Sequence, residues 1–179
     1  KPLTQEGQTA KADVTTAVDP MRTVIESRPK GGLDAVAEKI EYWTHEGQKT
    51  LYLIVSFLPV ERADGSGWID RAIEFFMPVG QSGESQQWIT SSMRLLSLAA
   101  RGGFLSRALS DMRKVVWDRG PVRLGKKKKL DGVEVPMWHD SEVAAIAYAI
   151  EKILQRRKIS EFESDSNDAL IENSSSTVM

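Results

Sequence analysis

The sequence contains no cysteine, and this absence excludes more chemistry than any other feature of the chain. Without thiols there are no disulfides, thiolate metal sites, thiol nucleophiles or thiyl radicals. Histidine occurs only at His45 and His139, each without a nearby cluster of other potential ligands. Because a zinc or iron site needs several such ligands together, we expect no bound metal and no cofactor.

Long apolar runs and an excess of one charge are missing as well. No run approaches the ~20 apolar residues of a membrane-spanning helix, and we expect no signal peptide. The formal net charge is −1, so the chain as a whole does not attract nucleic acid or membranes. With 179 residues, of which 41% are hydrophobic, a single cytoplasmic domain with tails is the expectation.

Composition divides the chain into three parts. Residues 1–30 are polar and have little periodicity, which indicates a flexible arm. Residues 159–179 are rich in serine and acidic side chains, which predicts a disordered tail. The region 31–158 between them has the apolar periodicity of a folded domain.

Periodicity in this region predicts an α+β fold, with a small antiparallel β-sheet packed against two to three helices. A helix is expected from Leu33 to Trp43, because apolar residues recur there at helical spacing. Two strands follow, at 50–59 and 72–79, and a hairpin turn at Asp64-Gly65 joins them.

Three helices should follow the strands. The first, at 84–101, has apolar residues around most of its surface and a polar stripe that includes Arg94 and Arg101, so we expect it to be largely buried. A short helix begins near Leu105. A last helix begins near Asp140 or Ser141, both of which are suitable N-caps.

The stretch that joins the second strand to the first of these helices raises the question of a phosphate site. Strand, glycine-rich turn and helix is the order found in nucleotide-binding loops. Here "GQSGES" (80–85) lacks the Lys-Ser/Thr pair and the GxGxxG pattern of such loops. We expect a scaffold turn. The alternative is a weak anion site on free backbone N–H groups at the start of the helix, around Gly80, Ser82, Gly83 and Ser85.

The stretch "GKKKKLDG" (125–132) predicts a small hairpin with a run of lysines at its tip. Such a run either contacts phosphate or a carboxylate-rich partner, or it is a solvated loop whose charges resist edge-to-edge aggregation. Trp117 and Trp138 flank the run, too far along the chain to predict a stacking platform. If nucleic acid binds, the candidate contacts are Lys126, Lys127, Lys128 and Lys129, together with Arg94 and Arg101.

Several segments between Arg28 and Leu154 match a known family in order and residue type. Arg28-Pro29 precedes the strand "LYLIVSF", and the later segments are "RAIEFFMPVGQSGES", "SSMRLLSLAARGG", "FLSRALSDMRKV" and "EVAAIAYAIEKIL". This pattern resembles the TSCPD domain, a module at the C-terminus of many adenosylcobalamin-dependent ribonucleotide reductases. The module also occurs as a separate small chain beside a split catalytic chain.

The resemblance implies a Cys-free, metal-free variant of that domain. The family is thought to bind metal through cysteines that stand where this chain has Ser85, about Trp117 and about Glu142. A reductase also needs a thiyl radical and a dithiol pair, so this chain by itself is not expected to be an enzyme.

We therefore expect a non-catalytic accessory module of DNA metabolism that docks on a protein partner, such as a reductase catalytic chain, or associates with itself. The candidate contact surface contains Phe57, Phe75 and Phe76, although plain core packing is the simpler expectation for at least two of them. The alternative is a small nucleic-acid-binding protein that uses the lysine-rich loop.

Overall fold

The structure, a computed structural model, describes residues 18–78 and 84–175, with side chains at 18–78 and 86–158. One antiparallel sheet of five strands lies at the centre of this part of the chain. In sequence order the strands are β1 (Asp34–Thr44), β2 (Gly47–Glu61), β3 (Trp68–Phe76), β4 (Val122–Lys128) and β5 (Glu134–His139). The helices are α1 (Glu84–Arg101), α2 (Leu105–Met112) and α3 (Glu142–Ser175). The sheet order is β3-β2-β1-β4-β5, and this α+β architecture confirms the predicted fold class.

Strand β1 occupies the segment where the sequence predicts a helix, so that prediction is wrong. β1 pairs with β2 along its whole length through a tight turn before Gly47. Burial alternates along it, with Ile40 and Tyr42 buried and the residues beside them less so. Val36 and Ile40 fit both the helical and the strand period, which left the segment ambiguous. Backbone pairing with β2, which periodicity does not reveal, decides it.

The two predicted hairpins are confirmed. β2 and β3 pair antiparallel, and Gly65 in the turn between them has φ +72°, a conformation that favours glycine. β4 and β5 form the second hairpin around the lysine run. The last helix is capped as expected, because the Ala144 N–H donates to Ser141 Oγ at 3.0 Å.

The hydrophobic core lies between one face of the sheet and the helices. Strands β1, β2, β3 and β4 contribute side chains from the same face, and all three helices pack against them. The buried residues of this cluster include Ile40, Tyr42, Leu53, Val55, Phe57, Phe75, Met93, Leu96, Leu109, Val122, Ile146, Ile150 and Ile153. We call the other face of the sheet the open face. Tyr52, Phe76 and Trp138 are exposed there, whereas Glu74 is buried and accepts a hydrogen bond from Arg28.

Helix α1 also covers the outer edge of β3. The Phe75 N–H donates to Ser97 Oγ at 2.9 Å, and Arg101 Nη1 donates to the Ile73 carbonyl at 3.3 Å. These side chains bond backbone groups that an edge strand would otherwise present to another chain. Ser97 and Arg101 therefore belong to the helix–sheet contact, although the sequence placed Arg101 on a polar stripe.

The structure describes part of each predicted tail. Within the arm at 1–30, residues 1–17 lie outside the described part, and the Ile25 N–H donates to the Arg101 carbonyl at 2.8 Å, which joins this part of the arm to the end of α1. At the other end α3 continues to Ser175, into the predicted tail. That tail contains no proline or glycine, the residues that most readily end a helix.

Candidate functional site

On the open face, β1, β4 and β5 bring two tryptophans and an arginine into one row. Trp43 pairs with Arg123, and Arg123 pairs with Trp138, so the three side chains lie on the same face of adjacent strands. The Arg123 guanidinium carbon is 4.4 Å from the centre of the Trp43 ring, a cation–π contact. Trp138 is 58% exposed. We call Trp43, Arg123 and Trp138 the Trp–Arg–Trp row.

The lysine run begins beside this row. Lys126 is paired with Pro136 and Lys128 with Glu134, at the positions that precede Trp138 by two and four residues on β5. Because side chains alternate along β5, both lysines lie on the open face with Trp138. Lys127 lies on the opposite side, and Lys129 lies in the turn, where its N–H donates to the Val133 carbonyl.

A β-bulge produces this arrangement. The pairing of β4 with β5 shifts between Arg123 and Lys126, so two residues of β4 oppose one of β5. Gly125 lies in the bulge with φ +77°, and an added Cβ would lie 3.2 Å from the Tyr148 ring. The extra residue places Lys126 on the same face as Arg123, which strict alternation would not do.

The two arginines proposed with the lysines do not join them. Helix α1 lies beside β3, at the edge of the sheet opposite the β4–β5 hairpin. Arg101 bonds the β3 edge there, and the exposed Arg94 lines a shallow pocket beside Phe76. Sequence reasoning missed Arg123 and Trp43 because the register that places them together is a tertiary property.

Two of the three candidate interface aromatics are core residues. Phe57 and Phe75 are each 1% exposed, so neither can form a contact surface in the folded protein. Phe76 points to the other side of β3 and is 50% exposed. The alternation of side chains along a strand accounts for the difference between the neighbours Phe75 and Phe76.

Helix α1 instead exposes three large apolar side chains. Trp88, Leu95 and Leu98 are 66%, 66% and 59% exposed. The sequence predicted a largely buried helix from its apolar surface, and this prediction is wrong for these positions. Only the side of α1 that includes Met93 and Leu96 packs into the core. We call Trp88, Leu95 and Leu98 the α1 stripe.

The candidate anion site at the start of α1 lies outside the residues and side chains that the structure describes. Gly80, Ser82 and Gly83 fall between the described ranges, and the side chain of Ser85 is not described.

A groove of about 810 Å³ lies at the other end of α1, between α2, α3 and residues near Asp19. Buried Arg71 donates to the carbonyls of Pro20, Thr23, Ala100 and Arg101. Its pKa is lowered because burial disfavours the charged guanidinium. The other cations that line the groove are Arg22, Arg107, Arg157 and Lys158, and they face Asp19, Asp70 and Glu151. This mixture of charges favours no single class of ligand.

Neither histidine is placed for metal binding. The described residues contain no group of three or more His, Asp or Glu that could hold a metal ion. Within the same residues, no helix is long and apolar enough to cross a membrane.

No protein-family model, curated protein or solved structure matches this chain.

Buried His139 is expected to make stability depend on pH. Its Nε2–H donates to the Leu124 carbonyl at 3.0 Å. The pKa of His139 is lowered, chiefly because burial disfavours the imidazolium, although the Leu124 carbonyl acts in the opposite direction. Unfolded histidine has a pKa of about 6.5, so below that pH the unfolded state binds the proton more readily. The free energy of unfolding should therefore fall as pH drops from about 7.5 to 5.5.

Urea unfolding at both pH values measures this dependence, with His139→Gln as the comparison. The variant should show a smaller change between the two pH values than the parent protein. Equal changes in the two proteins would contradict the role assigned to His139.

Proposed function

We propose that this chain is a non-catalytic, ribonucleotide-reductase-like accessory module that docks on a partner chain through the α1 stripe. The observation that carries the proposal is the exposure of Trp88, Leu95 and Leu98 on one helix. Several large apolar side chains exposed along one side of a helix favour an interaction site over a solvated surface. The resemblance to the TSCPD domain supplies the class of partner, a reductase catalytic chain.

The spacing of the α1 stripe suits a helical partner. Trp88 and Leu95 are seven residues apart, and Leu98 follows three residues later. These are the a and d positions of a heptad, the pattern by which one helix packs against another. The small Ser91 lies at the intervening d position, where it allows a close approach. A second copy of α1 would satisfy the same pattern, so self-association is the other form that docking could take.

A binding experiment with purified chains tests the proposal. The full chain is mixed with the catalytic chain of an adenosylcobalamin-dependent ribonucleotide reductase, and binding is measured by calorimetry and by light scattering after gel filtration. Leu95→Glu should weaken association by at least about 30-fold, the size expected of an interface hot spot. Leu130→Glu is the matched control, since Leu130 lies fully exposed in the β4–β5 turn, and it should bind as the parent does.

The same mixture separates docking from catalysis. The chain alone, given ribonucleotides, adenosylcobalamin and a reductant, should form no deoxyribonucleotide, because it has no thiol. Turnover above the blank would contradict a non-catalytic role. If the parent protein neither binds the catalytic chain nor self-associates at ~100 µM, or if Leu95→Glu binds normally, docking through α1 is wrong.

A further inference from the structure

The open face holds a second surface, of a different chemistry from the α1 stripe. The Trp–Arg–Trp row combines two large aromatic rings with a guanidinium between them, and it lies on the sheet face opposite the one that packs against the helices. Lys126 and Lys128 extend the same surface along the β4–β5 hairpin. Aromatic rings and cations on this face of the sheet suit the two chemical parts of a nucleotide. The rings can stack on its base, and the cations can bind its phosphate.

We propose that this surface binds single-stranded nucleic acid. Bases stack on aromatic side chains and on the planes of arginine guanidinium groups. Trp138 is exposed enough to take one base, and the Arg123 guanidinium, held against the Trp43 ring, offers a second plane. Lys126 and Lys128 would then contact the phosphates that follow along the strand.

The surface favours single strands over duplexes. In a duplex the flat faces of the bases are hidden in the stack, so the tryptophans would have nothing to stack on. The lysines alone would contact duplex phosphates, which gives weak binding that is lost as salt rises. A preference for single strands therefore distinguishes the whole row from a simple basic patch.

The charge around the row limits the affinity. Glu134 lies on the same face, and its carboxylate is 3.9 Å from Lys126 Nζ. On β4 and β5, Arg123, Lys126 and Lys128 against Glu134 leave a local charge of +2 on this face. The ion pair of Lys39 with Glu41 on β1 adds no net charge, and the formal net charge of the chain is −1. We expect weak, salt-dependent binding, supported mainly by stacking.

Fluorescence anisotropy with the full chain tests the proposal. The probes are labelled 12-nucleotide oligo(dT), oligo(U) and a duplex of the same length, each at ~50 mM salt and above. Both single strands should bind more tightly than the duplex. The slope of log affinity against log salt should be near −1.4, since Lys126 and Lys128 contact phosphate at ~0.7 each. Oligo(dT) against oligo(U) shows whether DNA or RNA is preferred.

Two variants locate the site. Trp138→Ala should weaken binding about 5- to 150-fold, the range for loss of one stacked base. The double variant Lys126→Ser with Lys128→Ser should reduce the salt slope by more than half. Trp68→Ala is the matched control, because it removes an exposed tryptophan from β3, at the opposite edge of the sheet, and should leave binding unchanged. Circular dichroism and thermal unfolding confirm that each variant is folded.

The outcomes separate this proposal from docking through α1. Loss of oligonucleotide binding in Trp138→Ala but not in Trp68→Ala supports the Trp–Arg–Trp row, whatever the α1 variants do to protein binding. No binding at ~50 mM salt, equal affinity for duplex and single strand, or normal binding by Trp138→Ala would each overturn it.

Discussion

Phe75→Ala is expected to lower the free energy of unfolding by about 3–5 kcal/mol, the cost of removing a large aromatic side chain from a packed core. Phe75 is 1% exposed and packs in the cluster between the sheet and the helices. Its backbone also meets Ser97 of α1, so the surroundings have little freedom to collapse into the space left behind. Urea unfolding monitored by tryptophan fluorescence measures the change.

The neighbouring residue provides the control. Phe76→Ala removes the same side chain from the open face, where it is half exposed, and should cost less than about 1 kcal/mol. If both variants are destabilised equally, the assignment of the two faces of β3 is wrong. A large loss for Phe75 alone would confirm that it serves the core and not an interface.

Arg71→Met is expected to lower the free energy of unfolding by about 2–4 kcal/mol, since a buried carbonyl left without a donor costs about 1–3 kcal/mol. Arg71 is 2% exposed and lies at the meeting point of three parts of the chain. Its guanidinium bonds the carbonyls of Pro20 and Thr23, before the sheet, and those of Ala100 and Arg101, at the end of α1. Loss of the side chain should release the first of these segments from the domain.

Chemical denaturation gives the stability change, and hydrogen exchange at the Ile25 amide reports the release, because that N–H donates to the Arg101 carbonyl. Arg71→Lys is the matched variant: it keeps the charge, but an ammonium group cannot reach carbonyls on both segments with a planar fork. It should therefore recover only part of the loss. Unchanged exchange at Ile25 in Arg71→Met would show that the segment is held by other contacts.

The elements that the sequence predicted correctly have strong local signals. The α1 helix has the predicted bounds, 84–101, because a long apolar period ends at two glycines. Asp64-Gly65 and the "LDG" after the lysines mark turns whose backbone conformation few other residues adopt. Ser141 caps the following helix through a local hydrogen bond, which does not depend on what that helix packs against.

The failures concern segments whose partners lie far along the chain. β1 has apolar residues that fit two periods, and only its ladder with β2 selects the strand. Trp88 and Leu95 were expected to be buried because they are apolar, yet only one side of α1 packs against the sheet. The candidate contacts Arg94 and Arg101 were grouped with the lysines by charge alone, and the sheet order separates them.

By itself the sequence determined which chemistry is absent, since a chain without cysteine has no thiol to act as a nucleophile, a radical or a ligand. It also determined the turns and caps, because these depend on residues within a few positions of one another. Only the tertiary structure decided which surfaces remain free. Trp43 and Trp138 meet Arg123 through strand register, and a one-residue shift of that register would turn the row toward the core. Register depends on the packing of the whole sheet, so no local pattern in the sequence contains it.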